Sequence, residues 1–98
     1  MTKNNNLEYF HYAYTTYDFN TSESKILRHL KSFAYDKEIS KGYHGNLHLH
    51  PDIVCNTKEE AIQAIEDIVQ YPYDDHGVLF LDSHGRKTWL VKSTWKMA

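Results

Sequence analysis

The sequence predicts an α+β fold: a small, mostly antiparallel sheet with two helices on one face, in the order β-α-β-α-β-β. Three observations predict it: a capped helix signature at Thr57, a hairpin signature at 82–85 and an alternating aromatic segment near the N-terminus. The 98 residues predict a single domain over 1–98, and the polar residues 1–6 are expected to be disordered.

The N-terminal third of the chain predicts a strand followed by a helix. Tyr12 and Tyr14 share one face of a strand predicted over 7–16, because side chains alternate between the two faces. Asn20 or Thr21 can cap the helix, since short polar side chains accept hydrogen bonds from the free amides of a helix start. The apolar stripe of this helix is formed by Ile26, Leu27, Leu30, Phe33 and Ala34.

A loop and a short strand are predicted in the middle of the chain. Residues 36–45 are polar and contain glycine, which is typical of a loop, and residues 46–50 predict a strand that Pro51 ends. His48 and His50 stand two residues apart on this strand and therefore point to the same side. An H-x-H pair in this arrangement can chelate a metal ion.

The histidine pair continues as His-x-His-x-Asp through Asp52, which resembles the opening of the metal signature in metallo-β-lactamase-like hydrolases. That family places a histidine directly after the aspartate, where this chain has Ile53, and the chain is far too short for that fold. We therefore reject that family, and the alternatives are an exposed histidine face or a small independent metal site. The candidate ligands of such a site are His48 and His50, together with His44, Asp52 or His76.

A capping box predicts the start of the second helix. The Thr57 hydroxyl can accept a hydrogen bond from the Glu60 amide, while the Glu60 carboxylate reaches back to the Thr57 amide. The helix is expected to run to about Tyr71, because Pro72 follows. Its apolar stripe is formed by Ala61, Ile62, Ile65, Ile68 and Val69.

The C-terminal segment predicts a β-hairpin with strands over 78–82 and 87–97. The tetrapeptide 82–85 suits a type I turn with Gly85 in the left-handed region, closing on a bulge. One face of the last strand, expected to pack on the helices, carries Trp89, Val91, Trp95 and Met97; the other, expected to meet water, carries Thr88, Leu90, Lys92, Thr94 and Lys96.

Cysteine content and hydropathy predict a cytoplasmic protein. Cys55 is the only cysteine, so no intramolecular disulfide can form and a reducing compartment is expected. The N-terminus has no apolar stretch typical of a signal peptide, and no apolar run approaches the roughly 20 residues needed to span a bilayer.

Charge is distributed unevenly along the chain. The net charge of −2 argues against a strongly basic nucleic-acid binder. Charge asymmetry can mark a partner surface, although a solvated helix face beside a solvated strand edge gives the same pattern. The acidic residues expected to bind a partner are Glu59, Glu66, Asp67, Asp74 and Asp75, and the basic residues of an alternative nucleic-acid surface are Arg86, Lys87, Lys92 and Lys96.

Residues 57–95 resemble a group of short, uncharacterised proteins of bacteriophages and mobile elements. The resemblance rests on the helix opening with Thr57, Glu59, Glu60 and Ala61, the acidic Asp74, Asp75 and His76, the terminal Trp89-Leu90-Val91-Lys92 and the following Trp95. It implies a genomic neighbourhood rather than an activity.

The sequence contains no motif that names a reaction: it has no phosphate-binding loop, CxxC pair, H-E-x-x-H or serine elbow. We expect a non-enzymatic binding protein of phage or mobile-element type, without a cofactor, that binds a host protein. Inhibition of a host defence system, such as CRISPR or nucleotide signalling, fits this expectation. The alternatives are a nucleotide- or nucleic-acid-binding module and a histidine-based metal protein or hydrolase.

Overall fold

The computed structural model describes the backbone of residues 10–37, 40–43, 46–68 and 74–97, and the side chains of 12–32, 46–68 and 74–94. The predicted α+β class and the predicted order β-α-β-α-β-β are confirmed, with one further short strand inside the segment predicted as a loop. The elements are β1 (Phe10–Asp18), α1 (Glu23–Lys37), β2 (Ser40–Tyr43), β3 (Asn46–Cys55), α2 (Lys58–Ile68), β4 (Asp74–Leu81) and β5 (Lys87–Met97).

The sheet is built around β5. Its strand order is β1-β5-β4-β3, and β2 also pairs with β5. β5 runs antiparallel to β1, β2 and β4, whereas β3 and β4 are parallel and connected through α2. The parallel pair places the start of β3 beside the start of β4, and this pairing builds the site described below.

The two helices pack on opposite faces of the sheet, which corrects the predicted placement of both helices on one face. Because successive side chains of a strand point to opposite faces, Leu79 packs with α1 while Val78 and Phe80 pack with α2. The α1 core contains Ile26, Leu30, Leu79, Trp89 and Val91, and the α2 core contains Ala61, Ile65, Val78, Phe80 and Leu90.

Both faces of β5 are therefore buried along its central part. Trp89 and Val91 lie in the core, as predicted, with 5% and 0% of their surfaces exposed. The other face was expected to meet water, but Leu90 is fully buried and Thr94 is 7% exposed, because α2 covers this face. The predicted core positions Trp95 and Met97 lie outside the described side chains.

Helix α1 begins two residues later than a cap at Asn20 would place it and one residue later than a cap at Thr21. The Ser22 hydroxyl accepts a hydrogen bond from the Lys25 amide at 3.2 Å, so Ser22 caps the helix instead of Asn20 or Thr21. The chain turns at Asp18, whose carbonyl accepts from the Thr21 amide at 2.9 Å, and this turn uses the residues between strand and cap.

The start of α2 follows the predicted capping box, with one change. The Thr57 hydroxyl accepts from the Glu60 amide at 3.1 Å, as predicted. The Glu60 carboxylate reaches one residue further back and accepts from the Asn56 amide at 2.9 Å. The predicted end of the helix near Tyr71 lies outside the described residues, and none of the described helices is long and apolar enough to cross a bilayer.

Strand β3 continues through Pro51 instead of ending there. A register shift separates the pair His50 and Val78 from the pair Val54 and Leu79, so residues 51–53 bulge out of the ladder. A bulge on an edge strand tolerates proline because it needs no ladder hydrogen bond at that position.

The predicted turn of the β4–β5 hairpin is confirmed. The Gly85 amide donates to the Asp82 carbonyl at 2.9 Å, and the Asp82 amide donates to the Arg86 carbonyl at 2.9 Å. Gly85 has a φ of 75°, a conformation that glycine adopts without the steric cost of a Cβ atom.

Trp89→Ala is expected to reduce the free energy of unfolding by about 3–5 kcal/mol, because it removes a large buried ring from the α1 core. Trp89→Phe serves as a control that keeps an aromatic ring but loses the hydrogen bond from Nε1 to the Phe19 carbonyl, and it should cost less. Chemical denaturation measures both, and a loss below about 1 kcal/mol for Trp89→Ala would contradict this assignment. The same expectation for Trp95→Ala stays a prediction.

Candidate functional site

Four polar side chains lie side by side across the α2 face of the sheet. Strand register pairs His48 with His76, His76 with Lys92, and Lys92 with Tyr14. We call His48, His76, Lys92 and Tyr14 the polar row. The strands β1, β5, β4 and β3 contribute one member each, because directly opposite residues of neighbouring strands point to the same face.

A carboxylate from α2 fixes two members of the polar row. Glu66 Oε2 lies 2.8 Å from Lys92 Nζ and also accepts a hydrogen bond from the Tyr14 hydroxyl. The hydrogen bonds from Lys92 and Tyr14 lower the pKa of the Glu66 carboxyl, whereas burial and the bond to Glu66 raise the pKa of the Tyr14 hydroxyl. At neutral pH the Glu66 carboxyl is therefore ionised and the Tyr14 hydroxyl is neutral.

An exposed aromatic ring adjoins this network. Tyr12 is 52% exposed, and Lys92 Nζ lies 4.9 Å from the centroid of its ring. The Lys92 side chain is only 14% exposed, because it lies between the Tyr12 and Tyr14 rings and the Glu66 carboxylate. A cation held close to an aromatic face contributes roughly 0.5–1 kcal/mol at exposed sites and restrains both side chains.

Three histidines meet at the other end of the polar row. His50 Nε2 lies 2.8 Å from His76 Nδ1, and the His48 and His50 rings stack on His76 with centroid distances of 5.2 and 5.1 Å. His76 is 9% exposed, and burial, followed by the charges of His50 and His48, lowers its pKa, while Asp74 acts in the opposite direction. His76 is therefore neutral at neutral pH.

The sequence indicated His76 only as a further candidate metal ligand, outside the strand predicted over 78–82. The strand β4 begins at Asp74, four residues before the predicted start, and this places His76 inside the sheet. The parallel pairing with β3 then brings it directly opposite His48. The pairing of β3 with β4 joins segments that are far apart in the sequence, so no local sequence signal predicts it.

The predicted acidic surface is divided by the fold. Glu59 and Asp67 are exposed, Glu66 belongs to the network with Lys92, and Asp74 is half-buried. Asp75 is 1% exposed, so its assignment to an outer surface is corrected.

The Asp75 carboxylate has a structural role at a branch of the sheet. It accepts hydrogen bonds from the Thr94 amide at 3.1 Å and from the Thr94 hydroxyl at 3.0 Å. Thr94 lies where β5 passes from pairing with β4, at Lys92, to pairing with β2, at Trp95. The Asp75 side chain thus accepts the hydrogen bond that a neighbouring strand would otherwise accept from the Thr94 amide.

Three of the four predicted basic residues have described side chains, and these three do not form one surface. Arg86 and Lys87 are exposed at the hairpin, whereas Lys92 is committed to Glu66 in the polar row. The Lys96 side chain lies outside the described side chains. Arg86 and Lys87 line a separate cleft at the hairpin end of the sheet.

The histidine cluster does not have the arrangement of a metal centre. Among the residues described, no group of three or more histidine, cysteine, aspartate or glutamate side chains could hold a metal ion. Asp52 is exposed on the bulge of β3, and His44 lies outside the described residues. The hydrogen bond between His50 Nε2 and His76 Nδ1 occupies one ring nitrogen of each imidazole.

Comparison with known proteins gives no match: no family model, curated protein or solved structure matches this chain. The resemblance of residues 57–95 to short proteins of bacteriophages and mobile elements therefore stays a prediction.

Zinc is expected to bind only weakly. Titration calorimetry should show no stoichiometric site with a Kd below about 1 µM, because the residues that the structure describes include no group of three or more ligands that could hold the metal ion. A tight site that is abolished by His48→Ala and His50→Ala would contradict this expectation.

Acidification should destabilise the protein through His76. Its folded pKa lies below the unfolded value of about 6.5, so the unfolded state takes up the proton first. The stability that comes from keeping His76 neutral is fully present above the unfolded pKa and is lost as the pH falls through the folded pKa. Denaturant unfolding at about pH 7.5 and pH 5.5 should show a smaller loss for His76→Gln than for the wild type.

The exposed turn residue His84 offers the control for this measurement. His84→Gln should keep the pH dependence of the wild type, since its side chain lies at the hairpin turn, away from the cluster. An equal loss of stability in the wild type and in His76→Gln would show that other groups cause the pH dependence.

Proposed function

We propose that the protein is a non-enzymatic binding domain that recognises a partner protein through the polar row and the adjoining Tyr12 ring. The observation that carries the proposal is the exposure of Tyr12, at 52%, directly beside a network of fixed charges. Residues that contribute most to protein interfaces are enriched in tyrosine, because its large ring and polar tip gain contacts at a low cost in conformational entropy.

The network behind Tyr12 supports this proposal because it is already ordered in the free protein. Glu66 is bonded to both Lys92 and Tyr14, so these three side chains lose little conformational freedom when a partner binds. His48 extends the same surface with an exposed imidazole. The partner surface that fits it presents an apolar or aromatic group to Tyr12 and hydrogen-bonding groups to Glu66 and His48.

The exposed acids provide a second, electrostatic contribution to the same function. Glu59 and Asp67 are exposed on α2, and Asp74 is half-buried at the start of β4. Complementary charge on a basic partner would increase the association rate and make binding sensitive to salt. Asp75 makes no part of this surface because it is buried.

The biological setting that we propose is a cytoplasmic inhibitor of a host defence protein, carried by a phage or mobile element. Its support is the resemblance of residues 57–95 and the small size of the chain, 98 residues. A small domain with an ordered polar surface suits inhibition by direct contact, which requires no reaction.

Tyr12→Ala is expected to weaken capture of the host partner by about 2 kcal/mol, or about thirtyfold, as for other exposed aromatic anchors. The measurement is affinity capture from a lysate of the native host, followed by titration with the captured protein. Val54→Ala is the matched control, because Val54 is a large apolar residue of similar exposure, 43%, on β3. It pairs with Leu79 of the α1 core and therefore lies on the face of the sheet opposite the polar row.

Glu59→Lys and Asp67→Lys test the electrostatic contribution at low and moderate salt. They should weaken capture mainly at low salt while leaving the fold intact, because exposed charges contribute little to stability.

A partner that binds Tyr12→Ala as well as it binds the wild type, but loses affinity with Val54→Ala, would place the binding surface on another part of the molecule.

A further inference from the structure

A cleft of about 580 Å³ lies at the hairpin end of the sheet, away from the polar row. The register pair of Asp18 and Thr88 brings the turn after β1 next to the hairpin between β4 and β5. Small-molecule sites typically occupy about 300–1,000 Å³, so the cleft has the size of a ligand site. Its walls include Asp18, Phe19 and Asn20 on one side and Arg86, Lys87 and Thr88 on the other.

The apolar wall of the cleft is the Phe19 ring. This ring is 47% exposed, although it stacks on the buried Trp89 with a centroid distance of 6.3 Å and an interplanar angle of 27°. The Phe19 carbonyl also accepts a hydrogen bond from Trp89 Nε1 at 3.1 Å. Two contacts with a core residue therefore hold an exposed aromatic ring in a defined position.

The polar wall carries two cations. Lys87 Nζ lies 5.4 Å from the centroid of the Phe19 ring, and Arg86 is exposed beside it. Neither Arg86 nor Lys87 forms an ion pair with another residue that the structure describes. A guanidinium group and an ammonium group in this setting match the oxygens of a phosphate.

The two carboxylates of the cleft have different roles. Asp82 Oδ1 accepts hydrogen bonds from the His84 amide at 2.8 Å and the Arg86 amide at 2.9 Å, and so serves the turn. These backbone bonds lower the pKa of the Asp82 carboxyl. Asp18 is exposed at the end of β1 and can accept from an amino or hydroxyl group of a ligand.

We propose that this cleft binds a nucleoside phosphate, with the base stacked on Phe19 and the phosphate bound by Arg86 and Lys87. Asp18 and Asn20 then face the hydrogen-bonding groups of the base or sugar. Stacking on an aromatic side chain contributes about 1–3 kcal/mol per base, and it accepts different bases because each has a flat π face. This site is independent of the partner surface around Tyr12: β5 contributes Lys87 and Thr88 to the cleft but Lys92 to the polar row.

The same chemistry is present in a free nucleotide and in a single-stranded nucleic acid, so the experiment includes both. Calorimetry and protein fluorescence, to which Trp89 beside Phe19 contributes, would measure binding of adenine, guanine and uracil nucleoside monophosphates. Adenosine, inorganic phosphate and a short single-stranded oligonucleotide are the companion probes. Tighter binding of the oligonucleotide than of the monophosphates identifies nucleic acid as the source of the phosphate.

Arg86→Gln and Lys87→Gln are each expected to weaken binding about tenfold, since each removes a charge-assisted hydrogen bond to phosphate. Phe19→Leu should weaken binding of the nucleotide without changing binding of inorganic phosphate. Arg28→Gln and Lys58→Gln are the matched controls, because both residues are exposed on helices outside the cleft, and they should leave the affinity within about twofold. Thermal unfolding confirms that each variant is folded.

Failure to detect saturable binding of any phosphate-containing probe below about 1 mM would overturn the proposal. So would equal affinities for inorganic phosphate and for nucleoside monophosphates, because the base would then contribute nothing. Equal losses in the cleft variants and in their matched controls would indicate non-specific attraction to positive charge, which also contradicts the proposal.

Discussion

The alternation of side chains along β5 is the constraint on which the rest of the structure depends. Trp89 and Val91 point into the core beneath α1, whereas Leu90 between them points into the core beneath α2. The same strand pairs with β1, β2 and β4, so it connects the sheet in its own plane as well. One strand thus forms the common wall of two small cores, and a helix on one face of the sheet could bury only one of them.

Two buried contacts adapt the sheet to this arrangement. The Asp75 carboxylate satisfies the Thr94 amide at the point where β5 changes its partner, so the branch leaves no backbone donor unpaired there. Gly77 leaves room for the Leu49 side chain, because a Cβ atom at this position would lie 2.6 Å from Leu49 Cδ2. Asp75 and Gly77 are thus both buried in the sheet, although aspartate is typical of the surface and glycine of loops.

Local signals in the sequence predicted the elements well, because they depend on neighbouring residues. The Thr57 cap and the turn at Gly85 are examples: each is encoded within a few residues and each is found in the structure. The pairing partners of the strands depend on residues far apart, so periodicity could not show that His76 lies beside His48 or that α1 and α2 cover opposite faces. The assignment of Asp75 to the acidic surface was wrong for the same reason. Its carboxylate is buried because it accepts hydrogen bonds from Thr94 at the branch of the sheet, and this contact joins residues far apart in the sequence.

Both candidate sites depend on the register of β5, which places Lys92 opposite Tyr14 and Thr88 opposite Asp18. Strand β5 therefore unites the two cores into one cooperative unit. Native-state amide hydrogen exchange tests it most directly, by comparing Leu30 in the α1 core with Ile65 in the α2 core. Both amides are expected to exchange only through global unfolding, with the same free energy and the same denaturant dependence. Exchange of one core at a markedly lower free energy, while the other stays protected, would contradict it.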